Sequence, residues 1–250
     1  MRAFSGIVDL PALFMITGAL IVIGLANGFS LKRSAAMAQV LLLEVGLLFL
    51  LVSLVPLFED PLNFMTLPYI ASFALVTFAL AGFVTVSLSV ALPASSSVDA
   101  TSAKAGFRIA GVLALVIGIG YLAIGNTSLS GYLQVPAVVF VAAMLIWIGV
   151  IARLSGKEPL AQRLGNALPS IAILGLVVGI SAAVLDVYEI QFLLPLLGFG
   201  VNVAFLAILI RVMMQLAGLI NGSLDGLRFV SLAMLLSIAL GLVLLAQAVA

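Results

Sequence analysis

LPSIAILGLVVGISAAVL (Leu168–Leu185), DVYE (Asp186–Glu189) and IQFLLPLLGFGVNVAFLAILIRVMMQ (Ile190–Gln215) form one unbroken stretch, and its reading decides the fold. Two apolar runs meet at an acidic hinge, and each is near the roughly 20 residues a helix needs to cross a bilayer core. A second copy of the design lies between Leu41 and Leu92, where the runs meet at Phe58, Glu59, Asp60 and Pro61. Both second runs carry a proline near their start, Pro68 and Pro195. Proline is tolerated there because first-turn amides have no intrahelical acceptor. Two copies of one helical hairpin imply duplication.

Working outward, the 250 residues are 65% hydrophobic and only 8% charged, against about 25% charged in a soluble domain. The mean hydropathy is +1.42. Such a chain has too little polar surface to stay in water, so the lipid bilayer is its first partner. The opening run is not read as a cleaved signal peptide: no basic segment precedes it beyond Arg2, and it begins with Asp9 and Pro11. There is no cysteine and no histidine. That removes disulfides, thiol chemistry, histidine-ligated haem and most zinc sites. A net charge of +1 offers no footprint for nucleic acid.

Eight spans are expected, at about Leu10–Gly28, Val40–Phe58, Thr66–Leu92, Ile109–Gly125, Val135–Ile151, Ser170–Leu185, Ile190–Gln215 and Phe229–Ala248. Their connections alternate in charge. Lys32, Arg33, Lys104, Arg108, Arg153, Lys157, Arg163, Arg211 and Arg228 all fall in or beside the same set of connections, and only Arg2 falls with the other. By the positive-inside rule the basic set is cytoplasmic. Both termini are then expected to face the periplasm or cell exterior, with the chain in a bacterial inner membrane.

The spans repeat at a shift of roughly 125 residues. VDLPALFMITGALIVIG (Val8–Gly24) aligns with LQVPAVVFVAAMLIWIG (Leu133–Gly149), Pro11 with Pro136, Ala38-Gln39 with Ala161-Gln162, and Pro68 with Pro195. Four spans per unit keep both units in one orientation, so the repeat is parallel rather than inverted. The expected fold is therefore all-α and polytopic, with two tandem four-helix units. Residues 1–92 supply three helices of unit A. Residues 93–106 are a Ser- and Ala-rich cytoplasmic linker, residues 107–216 hold the four helices of unit B, and residues 217–250 return the last helix to unit A. The polar connection Leu154–Leu168 is read as a short interfacial helix after Pro159.

Few side chains can carry chemistry. Glu44 lies four residues inside the apolar run beginning at Val40, about 6 Å deep at 1.5 Å per residue. A carboxylate within a span is costly and by default marks a proton or cation site. At that shallow depth the plainer reading is that it snorkels, or pairs with Lys32, Arg33 or Arg163. Asn202 is the deepest amide; such groups line pathways or bond neighbouring helices, the latter for about 0.6 kcal/mol on average. Gly175 and Gly179 form a G-x-x-x-G pair suited to close helix contact. The acidic hinges read as solvated turns rather than metal sites, since hard cations take six or more oxygen ligands. No serine–histidine, cysteine–histidine or H-E-x-x-H constellation exists, so no hydrolase design, metal or cofactor is expected.

The order of elements resembles the MotA/TolQ/ExbB family, most closely its flagellar stator branch. Residues 107–216 read like such a subunit stripped of its cytoplasmic domain. GYLQVPAVVFVAAMLIWIG is similar to the family's second helix with its F-V-D-[IL]-P-S-L opening. LPSIAILGLVVGI is similar to its third, A-P-x-x-G-x-x-G-T-x-x-G, with Pro169, Gly175 and Gly179 in register. Pro68 and Thr77 suit its fourth helix, P-A-x-x-x-A-L-x-T-T. The resemblance implies a non-enzymatic stator-like or proton-channel-type subunit. It would be a homo-oligomer working with a single-span partner. The ion-path candidates are Glu44, Thr77 and Asn202, of which Thr77 alone falls on a family motif. The chain also departs from the pattern. Leu176 and Leu50 replace the third-helix threonine, and the rotor-gripping cytoplasmic segment has shrunk to 28–39 and 154–168. Torque on a rotor is therefore not expected. Two alternatives stand beside this reading. One is a small solute or ion transporter with its pathway between the repeats; the other is a structural subunit of a larger membrane complex.

Overall fold

The computed structural model describes residues 10–58, 67–91, 104–126, 129–155, 159–185, 190–221, 228, 231–234 and 236–238. All regular structure among them is helical. Seven long helices follow in order: α1 (Leu10–Ala26), α2 (Leu31–Leu54), α3 (Leu67–Ala91), α4 (Ala105–Asn126), α5 (Val135–Ser155), α6 (Leu160–Leu185) and α7 (Ile190–Leu216). A 3₁₀ turn, Val55–Phe58, closes α2, and a single helical turn, Leu129–Tyr132, precedes α5. Residues 231–234 and 236–238 are also helical. The two acidic hinges, the linker before Lys104 and most of the last expected span lie outside the described residues.

Five of these helices are long and apolar enough to cross a membrane: Leu31–Leu54, Ala105–Leu122, Val135–Arg153, Leu160–Ala183 and Leu193–Leu216. Leu10–Ala26 and Val76–Leu88 are shorter apolar helices. This set fits a multi-pass integral membrane protein.

Two helices begin earlier than hydropathy alone places them. α2 starts at Leu31 rather than near Val40, because the polar segment LKRSAAMAQ is itself helical and continuous with the apolar run. α6 starts at Leu160, so the expected interfacial helix and the sixth span are one helix with Pro169 inside it. Hydropathy reports where lipid can begin, whereas backbone hydrogen bonding continues through any residue that does not forbid it. An interior proline removes one amide donor and crowds the carbonyl four residues earlier.

Two compact units make up the chain. The first comprises Met1–Ser53, Pro68–Leu122 and Val212–Ser223; the second comprises Leu54–Leu67, Ala123–Arg211 and Leu224–Ala250. Spatial compactness thus gathers α4 with α1–α3. The grouping by repeat concerns ancestry, which contacts do not address.

In the first unit small residues set the helix spacing. A Cβ on Gly46 of α2 would meet the Ala81 Cβ of α3 at 2.6 Å, and one on Gly111 of α4 would meet the Ala26 Cβ at 2.5 Å. Leu41, Leu42, Leu48 and Leu51 of α2 are fully buried. α1 ends in a Schellman turn: Phe29 N donates to Gly24 O at 2.8 Å and Gly28 N to Leu25 O at 3.0 Å. Gly28 takes φ +62°, and Phe29 follows at φ 56°, a conformation uncommon outside glycine.

In the second unit α6 and α7 cross at glycines. A Cβ on Gly179 would lie 2.7 Å from Leu196 O and 3.0 Å from the Gly200 Cα, and one on Gly175 would collide with the Val203 side chain. Ring contacts add to this packing, Tyr132 edge-on to Phe205 and Phe140 edge-on to Phe199. The candidate spans differ sharply in burial: 72% of Leu193–Leu216 is buried, against 11% of Val135–Arg153. α7 is therefore a core helix and α5 a peripheral one, although both are uniformly apolar.

Candidate ion-binding groups and their surroundings

Glu44 lies thirteen residues after the start of α2 and ten before its end, so about 20 Å of helix precedes it and about 15 Å follows. It is 1% exposed. Its Oε1 accepts a hydrogen bond from Gln215 Nε2 at 3.2 Å, across 171 residues of sequence. Its carboxylate does not reach the surface of the unit, and α2 continues for nine residues, about two and a half turns, ahead of the apolar run. Burial of a carboxylate is costly unless hydrogen bonds replace water, and Gln215, itself 4% exposed, supplies one.

Helical geometry explains which neighbour meets which residue. Glu44 and Gly46 are two positions apart, about 200° around a helix of 3.6 residues per turn. Gly46 faces Ala81 of α3, while Glu44 faces the end of α7. Thr77 sits one turn before Ala81 on α3 and is 1% exposed. Glu44, Thr77 and Gln215 all belong to the first unit.

Asn202 lies in the second unit, mid-way along α7 and 1% exposed. Its Nδ2 donates to Gly198 O at 3.0 Å. Its Oδ1 is a buried acceptor with no hydrogen-bond partner among the described residues. Of the helix-packing positions, Gly175 and Gly179 lie at the α6–α7 crossing. Pro68 is the second residue of α3, and Pro195 is the sixth of α7, on an exposed face. Gly118 and Gly120 of α4 face open space.

The basic residues have structural partners that the charge pattern did not reveal. Pro169 has no amide hydrogen, so the Gly165 carbonyl lacks its helical donor. Arg211 of α7, 3% exposed, donates Nη1 to that carbonyl. Arg228 donates Nη1 to the next carbonyl, Asn166 O, at 2.7 Å. Elsewhere polar side chains cap helix ends. Arg163 Nη1 donates to Ala152 O at 3.1 Å in the last turn of α5, and Gln39 Nε2 to Leu88 O at 2.7 Å in the last turn of α3. Such bonds satisfy end carbonyls and oppose the negative end of the helix dipole. At α1, Asn27 Nδ2 donates to Ile23 O at 2.8 Å and approaches the Met37 Sδ of α2 at 2.9 Å. Gln162, aligned with Gln39 in the repeat, instead donates to Asn166 Oδ1 at 3.3 Å.

No known protein family matches this chain, and no characterised protein or solved structure does either. Its chemistry must be read from the residues themselves. Among the described residues there is no cluster of three or more acidic side chains. What the first unit offers is one buried carboxylate hydrogen-bonded to an amide. What the second offers, among the described residues, is a buried amide oxygen that accepts no hydrogen bond.

Sequence reasoning found Glu44, Thr77 and Asn202 as polar groups within apolar runs. It missed Gln215, which sits at the end of a run where glutamine looks interfacial. It treated Arg211 as a flanking charge, although Arg211 precedes the end of its helix by five residues. The usable signal was Pro169, since a proline within a helix always leaves a carbonyl four residues back in need of a donor.

Proposed function

We propose that the protein is a non-enzymatic subunit of a membrane assembly, of the stator or proton-channel type resembled by the MotA/TolQ/ExbB pattern. The observation that supports it most is Glu44, a carboxylate buried at the middle of a membrane-length helix. Intramembrane carboxylates are rare and serve proton or ion pathways by default. Gln215 presents an amide hydrogen to one carboxyl oxygen and so orients the group. Proton uptake and release at Glu44, with Thr77 of the neighbouring α3 in the same unit, would be coupled to movement of a partner helix. On this reading eight crossings form two parallel four-helix repeats in a bacterial inner membrane, with both termini on the outer side. The chain assembles as a homo-oligomer around a single-span partner.

Proton flux into liposomes containing the purified chain, with and without the partner, tests this reading. The wild type should conduct and Glu44→Gln should not. Equal, negligible flux from both would remove the channel role and leave a structural subunit. A second reading, a small solute transporter, draws on Asn202, whose buried Oδ1 accepts no hydrogen bond among the described residues. On that reading Asn202 and Glu44 both face the pathway, and it predicts solute-dependent uptake that Asn202→Leu and Glu44→Gln each impair.

A further inference from the structure

The first turns of α4 carry a groove of about 320 Å³, lined by Ala105, Arg108, Ile109, Val112 and Leu113 together with Ala217, just past the end of α7. Every lining residue belongs to the first unit. Five of the six are apolar and the sixth is a guanidinium. The α4 residues recur at spacings of three and four, which places them on one helix face. Arg108 is half-buried, and one of its hydrogen bonds runs from Nη1 to Ala217 O at 3.5 Å, which holds the guanidinium at the rim of the groove. Lys104, the residue immediately before α4, is exposed. No acidic residue occurs in the first turn of α4, where the positive end of the helix dipole also lies.

Below this cationic rim the helix stays apolar and uncovered. Only 17% of the α4 span is buried, and Ile109, Leu113, Val116, Ile117 and Tyr121 are all exposed. From Arg108 to Tyr121 the helix rises about 20 Å. One leaflet of the hydrocarbon core is about 15 Å thick, so the exposed stripe is long enough to follow an acyl chain through it.

We propose that this groove is a binding site for an anionic phospholipid of the leaflet that meets the basic connections. Its phosphate sits against Arg108 and Lys104, and one acyl chain lies along Ile109, Val112 and Leu113. Lipid tails are as apolar as leucine, so concavity alone confers little preference among lipids. The charged rim confers it, because cations at a membrane surface favour anionic headgroups by about fivefold each. The site is independent of the proton-channel reading, since neither Glu44 nor Asn202 takes part.

The test is lipid retention by the purified full chain, measured by mass spectrometry under conditions that keep noncovalent complexes intact. Phosphatidylglycerol is compared with phosphatidylcholine of identical acyl chains, and sodium phosphate is added in a third arm. The wild type should retain phosphatidylglycerol several-fold better. Arg108→Gln should reduce that preference about fivefold, Arg108→Lys should keep most of it, and Val112→Trp should reduce binding of both lipids by filling the groove. Equal preference in wild type and Arg108→Gln would overturn the proposal. So would displacement of phosphatidylglycerol by phosphate alone, which would mark a plain anion site. If Arg108→Gln loses its helical circular dichroism, salt decides on the wild type. A preference that fails to weaken from low to high ionic strength rules the charged rim out.

Discussion

Arg211 donates a hydrogen bond to the carbonyl of Gly165, the one acceptor in α6 that Pro169 leaves without a backbone donor. The pairing joins two costs that would be severe apart. A buried guanidinium without acceptors and a buried carbonyl without a donor are each unfavourable by several kcal/mol in hydrocarbon. Glycine at 165 carries no side chain to obstruct the approach.

This pairing predicts a specific coupling. Arg211→Met should destabilise the purified protein by about 1–3 kcal/mol, since a buried carbonyl loses its partner. Pro169→Ala restores the missing amide hydrogen, so it should recover part of that loss in the Arg211→Met background. Thermal unfolding in detergent of the wild type, both single variants and the double variant measures the coupling. A value of about 0.5–3 kcal/mol is expected for groups in direct contact, and strict additivity would refute the assignment.

At Glu44 stability and function should separate. Glu44→Gln keeps the shape and an oxygen that accepts from Gln215 Nε2, so its unfolding midpoint should stay close to wild type. Gln215→Leu removes the donor while leaving the carboxylate buried and should cost about 1–3 kcal/mol. Equal melting of Gln215→Leu and wild type would show that this hydrogen bond contributes nothing.

Glycines of α6 and α4 should respond in opposite directions. Gly179→Leu drives a side chain into the backbone of Leu196 and Gly200, and overpacking of this kind costs about 1–3 kcal/mol or more. Gly118→Ala meets nothing within 4 Å and should gain up to about 1 kcal/mol from helix propensity. Melting temperatures of the two variants check both signs.

The orientation is testable without removing any native thiol, because the chain contains no cysteine. Lys32 and Lys104 are exposed, as is Leu133 before α5. Cysteine at 32 or 104 should react with an impermeant maleimide only from the cytoplasmic face, and cysteine at 133 only from the opposite one. The reverse pattern would invert the topology.

Much of the architecture is written in the chain itself. Runs of apolar residues near bilayer length can satisfy their backbone in lipid only as helices, so seven helices cover the first seven expected spans, although α2 and α6 start nine and ten residues earlier. The charge alternation depends on residue order alone. Glu44 and Asn202 were legible for the same reason, being rare polar groups in apolar runs. Inward and outward faces were not legible. A helix hydrophobic all round has no periodicity to separate core from lipid, so nothing in the sequence distinguished buried α7 from peripheral α5. The partner of Glu44 lies 171 residues away, and the partner of Arg211 is a carbonyl, which every residue possesses. Composition could show that these polar groups were expensive to bury, but only the tertiary arrangement decided which acceptors and donors stand opposite them.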